Sequence, residues 1–108
     1  RNFQIEEILA LDFNHQSQIT KEIPAQLEKF MRQGLATSAF AADLKEIRVE
    51  FKSVGLSSLN LLITAEFMGN SASEYFFIKR QVQSMAVSCC NQMGWKMPFN
   101  QVTIHQGI

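Results

Sequence analysis

The chain has 108 residues, 46% hydrophobic and 19% charged, with ten basic side chains balanced by ten acidic ones. That length is one domain with room for a real core, and the neutral balance supplies no field to draw nucleic acid or anionic lipid. Apolar runs such as Leu61-Leu62-Ile63 and Tyr75-Phe76-Phe77-Ile78 fall far short of the roughly 18–20 residues of a membrane span, and no signal-peptide pattern opens the chain.

Phe3, Ile5, Leu9, Leu11 and Phe13 occupy odd positions, with Gln4, Glu6 and Asp12 between them. Period two predicts a strand with one face on a core, and Ile8 and Ala10 suggest partial cover of the other face. From Ser17 the period changes. Ile19, Ile23, Leu27, Phe30 and Met31 form one helical stripe that should end near Gly34. Pro24 in that stripe predicts a kink, or a helix whose regular part begins at Pro24. Residues 35–43 read as a loop with Phe40 tucked against the core. Ile47-Arg48-Val49-Glu50-Phe51-Lys52 alternates cleanly, so its charged face should see water.

Residues 53–58, containing Gly55, read as a hairpin connection into a more central strand with Leu59, Leu61, Ile63, Ala65 and Phe67 on one face. Ser71-Ala72-Ser73-Glu74 matches a capping box. The stripe Ile78, Val82, Met85, Ala86, Cys89 and Met93 then carries a helix that Gly94 should stop in a left-handed conformation. Pro98 prevents a helical restart, and Val102 with Ile104 forms a last strand. The predicted fold is α+β: a ferredoxin-like βαββαβ order, with a four-stranded antiparallel sheet and two helices on one face.

No constellation for catalysis, cofactor or metal binding emerges. Adjacent Cys89 and Cys90 point about 100° apart on a helix, which suits neither a disulfide nor a bidentate metal site, so they read as core thiols of a reducing compartment. Asp12 beside His15 would make a carboxylate–imidazole pair, but a solvated loop histidine near a helix N-terminus is the preferred reading. Glu6 and Glu7 point to opposite faces of a strand and do not form a carboxylate pair. RNA-binding proteins of this architecture need aromatics on the open sheet face, whereas Phe51 shares the buried face with Ile47 and Val49. An acyl-phosphate or phosphate-ester hydrolase would need an Arg and an Asn converging on an anion, and Arg48, Arg80 and Asn60 do not supply that pair. Phe76, Phe77, Trp95, Met97 and Phe99 exceed what one helix–sheet interface absorbs, which predicts a partner surface.

Two segments carry a resemblance. Val49-Glu50-Phe51 followed by Ser57-Ser58-Leu59-Asn60-Leu61, and the closing run from Gly94 through Pro98, Phe99, Gln101 and Thr103 to His105, resemble the cytoplasmic α/β domain of small-conductance mechanosensitive channels. The spacing between the two segments agrees as well. Leu56 stands where the family often has Asp, and Asn100 stands where it has a second Pro. The resemblance implies a single domain over residues 1–108, excised from a larger channel subunit at the cytoplasmic side of the inner membrane. Such domains self-associate, typically as heptamers, into a vestibule below the pore through which ions and small solutes pass when cells meet osmotic downshock. It implies no catalysis and no cofactor, and membrane contact only through helices upstream of Arg1. On that reading, face alternation makes Trp95, Met97 and Phe99 candidates for packing between subunits and Arg48, Glu50 and Lys52 candidates for a solvated wall. The alternative reading is a ferredoxin-like ligand-binding regulatory module.

Overall fold

The computed structural model describes residues 2–97. Three strands and two helices follow in the order β1 (Phe3–Leu11), α1 (Glu22–Ala36), β2 (Leu44–Val54), β3 (Leu59–Phe67) and α2 (Tyr75–Met93). The sheet is antiparallel with β3 in the middle, in the order β1-β3-β2. Phe3 faces Phe67 and Leu11 faces Leu59 across one seam, and Ile47 faces Ala65 across the other. The expected fourth strand, over Val102 and Ile104, lies outside the described residues.

Odd positions of β1 and β3, together with Ile47 and Val49 of β2, point to one face. There Ile5, Leu11, Leu61, Ala65 and Phe67 are fully buried. Both helices pack on that face, α1 over β2 and α2 over β1. Leu27, Met31 and Leu35 of α1 and Ile78, Val82 and Ala86 of α2 close the core. The fold is therefore α+β in two layers, and the alternation and helical stripes place it correctly. Gly34 brings α1 close to α2: a Cβ there would lie 2.9 Å from the Met85 sulfur.

Local details depart from expectation. Ile19 is buried but stands in turns ahead of α1, which starts only at Glu22. Pro24 therefore occupies the third helical position, where a missing N–H is harmless, and the first helical bond forms at Ala25 N–H to the Lys21 carbonyl. The helix runs past Gly34 to Ala36. The Thr37 and Ser38 hydroxyls donate to the carbonyls of Gly34 and Leu35 at 3.0 and 2.7 Å, so side chains satisfy the end that a glycine was expected to satisfy. Phe13, expected on the strand, opens a 3-10 turn and is 40% exposed.

The capping box does not form. Residues 69–74 are a 3-10 helix, and Glu74 makes no side-chain cap bond to α2. The Ser71 hydroxyl instead donates to the Asp43 carboxylate, while the Asp43 carbonyl accepts Met68 N–H at 2.8 Å. Asp43 thus ties the start of β2 to the end of β3. Gly94 does stop α2 at φ 76°, with its N–H on the Cys90 carbonyl.

The two sheet edges differ. At the outer edge of β2, Glu28 of α1 accepts Val49 N–H at 3.1 Å and pairs with Arg32 at 2.8 Å, while Arg32 donates to the Ile47 carbonyl at 3.2 Å. One (i, i+4) pair thereby occupies backbone groups that would otherwise invite another strand. Among the described residues nothing pairs with the outer edge of β1.

Candidate functional site

The hairpin between β2 and β3 is knit by Ser53, Gly55, Ser58 and Asn60. Gly55 N–H donates to the Ser58 carbonyl at 2.7 Å, the Ser58 hydroxyl donates to Asn60 Oδ1 at 2.8 Å, and Asn60 Nδ2 donates to Ser53 Oγ at 3.3 Å. Ser58 and Asn60 therefore lock a turn. They leave Leu56 fully exposed at its tip, beside Val54 at 64%.

Asp12 and His15 do not form an acid–base couple. Asp12 Oδ1 accepts Asn14 N–H at 3.1 Å, an ordinary local turn contact. His15 Nε2 accepts the backbone N–H of Lys96 at 2.8 Å, and Asp12 N–H donates to the Lys96 carbonyl at 2.8 Å. Both backbone groups of one residue just past α2 are thus held by the connection after β1. The link spans 81 residues, which is why neighbouring residue types pointed to a different partner. Arg48, Arg80 and Asn60 likewise stay apart. Arg48 pairs with Glu46 at 3.3 Å on the open sheet face, Asn60 is spent on the hairpin, and Arg80 lies on α2 in the other layer.

Sequence reasoning missed Glu7. It stands on the core-facing side of β1 in line with Ile5 and Leu9, and one oxygen meets Lys79 Nζ at 2.5 Å while the other accepts from Gln83 Nε2 at 3.0 Å. The signal was its odd position in an otherwise apolar register; the partners on α2 were invisible locally. The hydrogen bond to Glu7 outweighs burial and holds the Lys79 ammonium above its ordinary value of 10.5. A raised folded-state value stabilises the fold below that pH and stops doing so as the pH climbs through the raised value. Melting temperatures of wild type and Glu7→Gln should therefore converge above pH 10.5 and differ most below it. A constant gap across that range would remove the pair from the stability of the β1–α2 seam.

Cys89 and Cys90 are free and buried. Burial, and for Cys89 also the neighbouring Cys90, pushes that thiol up to about 11, and burial raises Cys90 as well. Both stay protonated and unreactive near neutrality.

Shallow grooves lie among the described residues, and three of them are lined as follows. One of about 280 Å³ runs along α2 past Phe77, Arg80, Gln81, Ser84 and Met85. A second of about 260 Å³ lies by Lys29, Phe30 and Met93. The smallest, about 150 Å³, sits between β1 and α2 and is lined by Glu7, Ile8, Leu9, Gln83, Ala86 and Val87, with Ile63 beneath. None gathers several polar side chains around one point.

Two aromatic rings are exposed at the start of α2, and other exposed apolar side chains, among them Val54 and Leu56, are scattered over the surface. Phe76 is 69% and Phe77 46% exposed, with Tyr75 edge-on to Phe76 at 5.1 Å and Phe40 edge-on to Phe77 at 5.8 Å. Trp95 corrects the expectation: it is only 9% exposed and belongs to the chain's own core, while Met97 beside it is 40% exposed. Phe99 lies outside the described residues. Arg48, Glu50 and Lys52 are exposed, as their alternation required.

Among the described residues no three His, Cys, Asp or Glu side chains gather where they could hold a metal ion, and no helix is long and apolar enough to cross a membrane. Compared with known proteins, the chain matches no protein-family model and no curated protein.

Proposed function

We propose that this chain is the cytoplasmic α/β domain of a small-conductance mechanosensitive channel, one panel of the multi-subunit vestibule below the pore. In this reading it performs no chemistry. It sits at the cytoplasmic side of the inner membrane, associates with copies of itself, and frames openings that ions and small solutes cross during osmotic downshock. The observation that carries the reading is the paired resemblance of the hairpin segment ending in Ser57-Ser58-Leu59-Asn60 and the closing segment from Gly94 to His105, at matching separation. The finer fold belongs to the same reading: a ferredoxin-like βαββαβ domain whose fourth strand contains Val102 and Ile104.

Two features support it. Ser58 and Asn60 bond within the hairpin turn, and Gly94 takes the left-handed stop, so residues of both segments set the direction of the chain. A neutral domain that leaves Phe76 and Phe77 exposed also offers surface for a partner. A ligand-binding regulatory module is the weaker reading, because the three grooves described above are shallow and lack converging polar groups.

The test uses the full-length polypeptide, expressed in cells without other mechanosensitive channels. It should protect those cells from downshock, and Phe76→Asp with Phe77→Asp should abolish protection and subunit assembly while leaving the fold intact. A full-length polypeptide with no membrane span, or one that gives no protection, would end the proposal.

A further inference from the structure

Two side chains of α1 meet the outer edge of β2 in a way that mimics a neighbouring strand. Glu28 Oε1 accepts Val49 N–H at 3.1 Å, and Arg32 donates to the Ile47 carbonyl at 3.2 Å. An adjacent strand would place a carbonyl and an N–H at those two points. Ile47, Val49 and, by alternation, Phe51 therefore turn their backbone groups outward, and side chains stand where a strand could. The stand-in is lightly held. Arg32 is 55% and Glu28 33% exposed, and an ion pair so open to water contributes little. By helical spacing Ala25 and Ala36 share this flank of α1 with them, so nothing else bulky lies along it.

The edge beneath is complementary to itself. β2 runs from Leu44 to Val54, with Val49 at its centre. Laid antiparallel on a second copy about that residue, Val49 meets Val49 and Ile47 meets Phe51, the residues whose backbone groups face outward. Between them Arg48 meets Glu50 twice, and further out Glu46 meets Lys52 twice. All four of these side chains are exposed. Every charged contact joins opposite signs. Centring the pair on Arg48 or on Glu50 instead would set like charges opposite each other. The register with β3 shifts between Leu44 and Glu46 and between Phe51 and Ser53, so the regular run is short. The two central contacts of Arg48 with Glu50 therefore carry the arrangement.

We propose that β2 is a strand-pairing surface for a second copy of this chain, two-fold about Val49, and that Glu28 and Arg32 are a guard that keeps it closed. The interface is isologous, each copy giving the same strand to the other. An unguarded edge of this kind pairs with the first matching strand it meets. The guard owes nothing to the vestibule reading and works the same way in a free domain.

The test is the mass of the 108-residue chain by light scattering over a range of concentrations, with circular dichroism to check the fold. Wild type should remain a single chain. Glu28→Ala with Arg32→Ala suits a helix, uncovers the edge and should double the mass. Arg32→Ala alone uncovers only the Ile47 carbonyl and should pair more weakly, which gives a second reading should the double variant not fold. Adding Arg48→Glu to the double variant reverses both central contacts and should weaken pairing at least about tenfold. Adding Glu50→Arg as well restores opposite charges and should bring the dimer back. Folded guard variants that stay single chains at every concentration would overturn the pairing surface. A dimer indifferent to Arg48→Glu would overturn the arrangement about Val49. Wild type as fully paired as the double variant would overturn the guard. The downshock test on the full-length polypeptide decides the channel reading separately.

Discussion

Phe67→Ala is expected to remove a large share of the protein's folding stability. Phe67 is fully buried at the end of the central strand, and its ring stacks on Phe3 at a centroid distance of 5.6 Å and an interplanar angle of 19°. Phe3 is its register partner on β1 and Leu44 its partner on β2, so a single ring bridges all three strands at that pole of the sheet. Removing it forfeits the transfer energy of the side chain and leaves a cavity that two edge strands cannot close without shifting, a loss of about 3–5 kcal/mol. Small domains hold only about 5–15 kcal/mol in total. Urea denaturation followed by circular dichroism measures the loss directly. Phe76→Ala is the matched control: the same side chain 69% exposed should change stability by less than about 0.5 kcal/mol. Similar midpoints for the two variants would mean that the core does not lie on this face of the sheet.

What could be read in advance divides by the range of the interaction. The alternation of Ile47 with Val49 and the stripe Ile78, Val82, Ala86 and Cys89 are repeated local signals, and each lands on the buried face. Gly94 was legible because the left-handed stop needs only one residue. Ile19 shows the limit of such patterns. It keeps helical spacing with Ile23 and Leu27 and is buried with them, yet turns deliver it to the core as well as a helix would. Ser71 shows another limit: the capping signature was present, but Asp43 outcompeted the local backbone for its hydroxyl. Glu28 with Arg32 was readable as an (i, i+4) pair, but its role in covering Ile47 and Val49 of β2 was not. His15 and Glu7 are the extreme cases, since their partners lie on the far side of the chain.

These long-range polar contacts have a common placement. Asp43, Glu28, Glu7 and His15 each join a strand, or the chain at its end, to a segment distant in sequence, around the margin of an apolar sheet–helix interface. Apolar burial is non-directional and supplies most of the stability, so it leaves the relative setting of sheet and helices loosely specified. Hydrogen bonds of modest net worth restrict that freedom. If the chain is the vestibule panel proposed above, the setting of each edge decides whether neighbouring copies match, and the margin contacts would then matter beyond their energy.

Trp95 decides between two uses of the residues that follow α2. As a subunit contact, Trp95→Ala would weaken assembly and leave the isolated domain as stable as before. The structure instead puts the indole in the core with the Cys90 carbonyl accepting its backbone N–H at 3.0 Å, at the turn where Gly94 redirects the chain. Truncation should therefore cost about 3–5 kcal/mol in the isolated domain, comparable to Phe67→Ala. It should also free Lys96 from Asp12 and His15, because the indole is the apolar anchor that brings that backbone within reach. Met97, 40% exposed two residues on, is the internal control: Met97→Ala should leave denaturation almost unchanged. Denaturant midpoints of the two variants, measured on the isolated chain by circular dichroism, separate the cases. If Trp95→Ala melts like wild type, the indole belongs to a partner's surface and the direction of the chain beyond α2 must be redrawn.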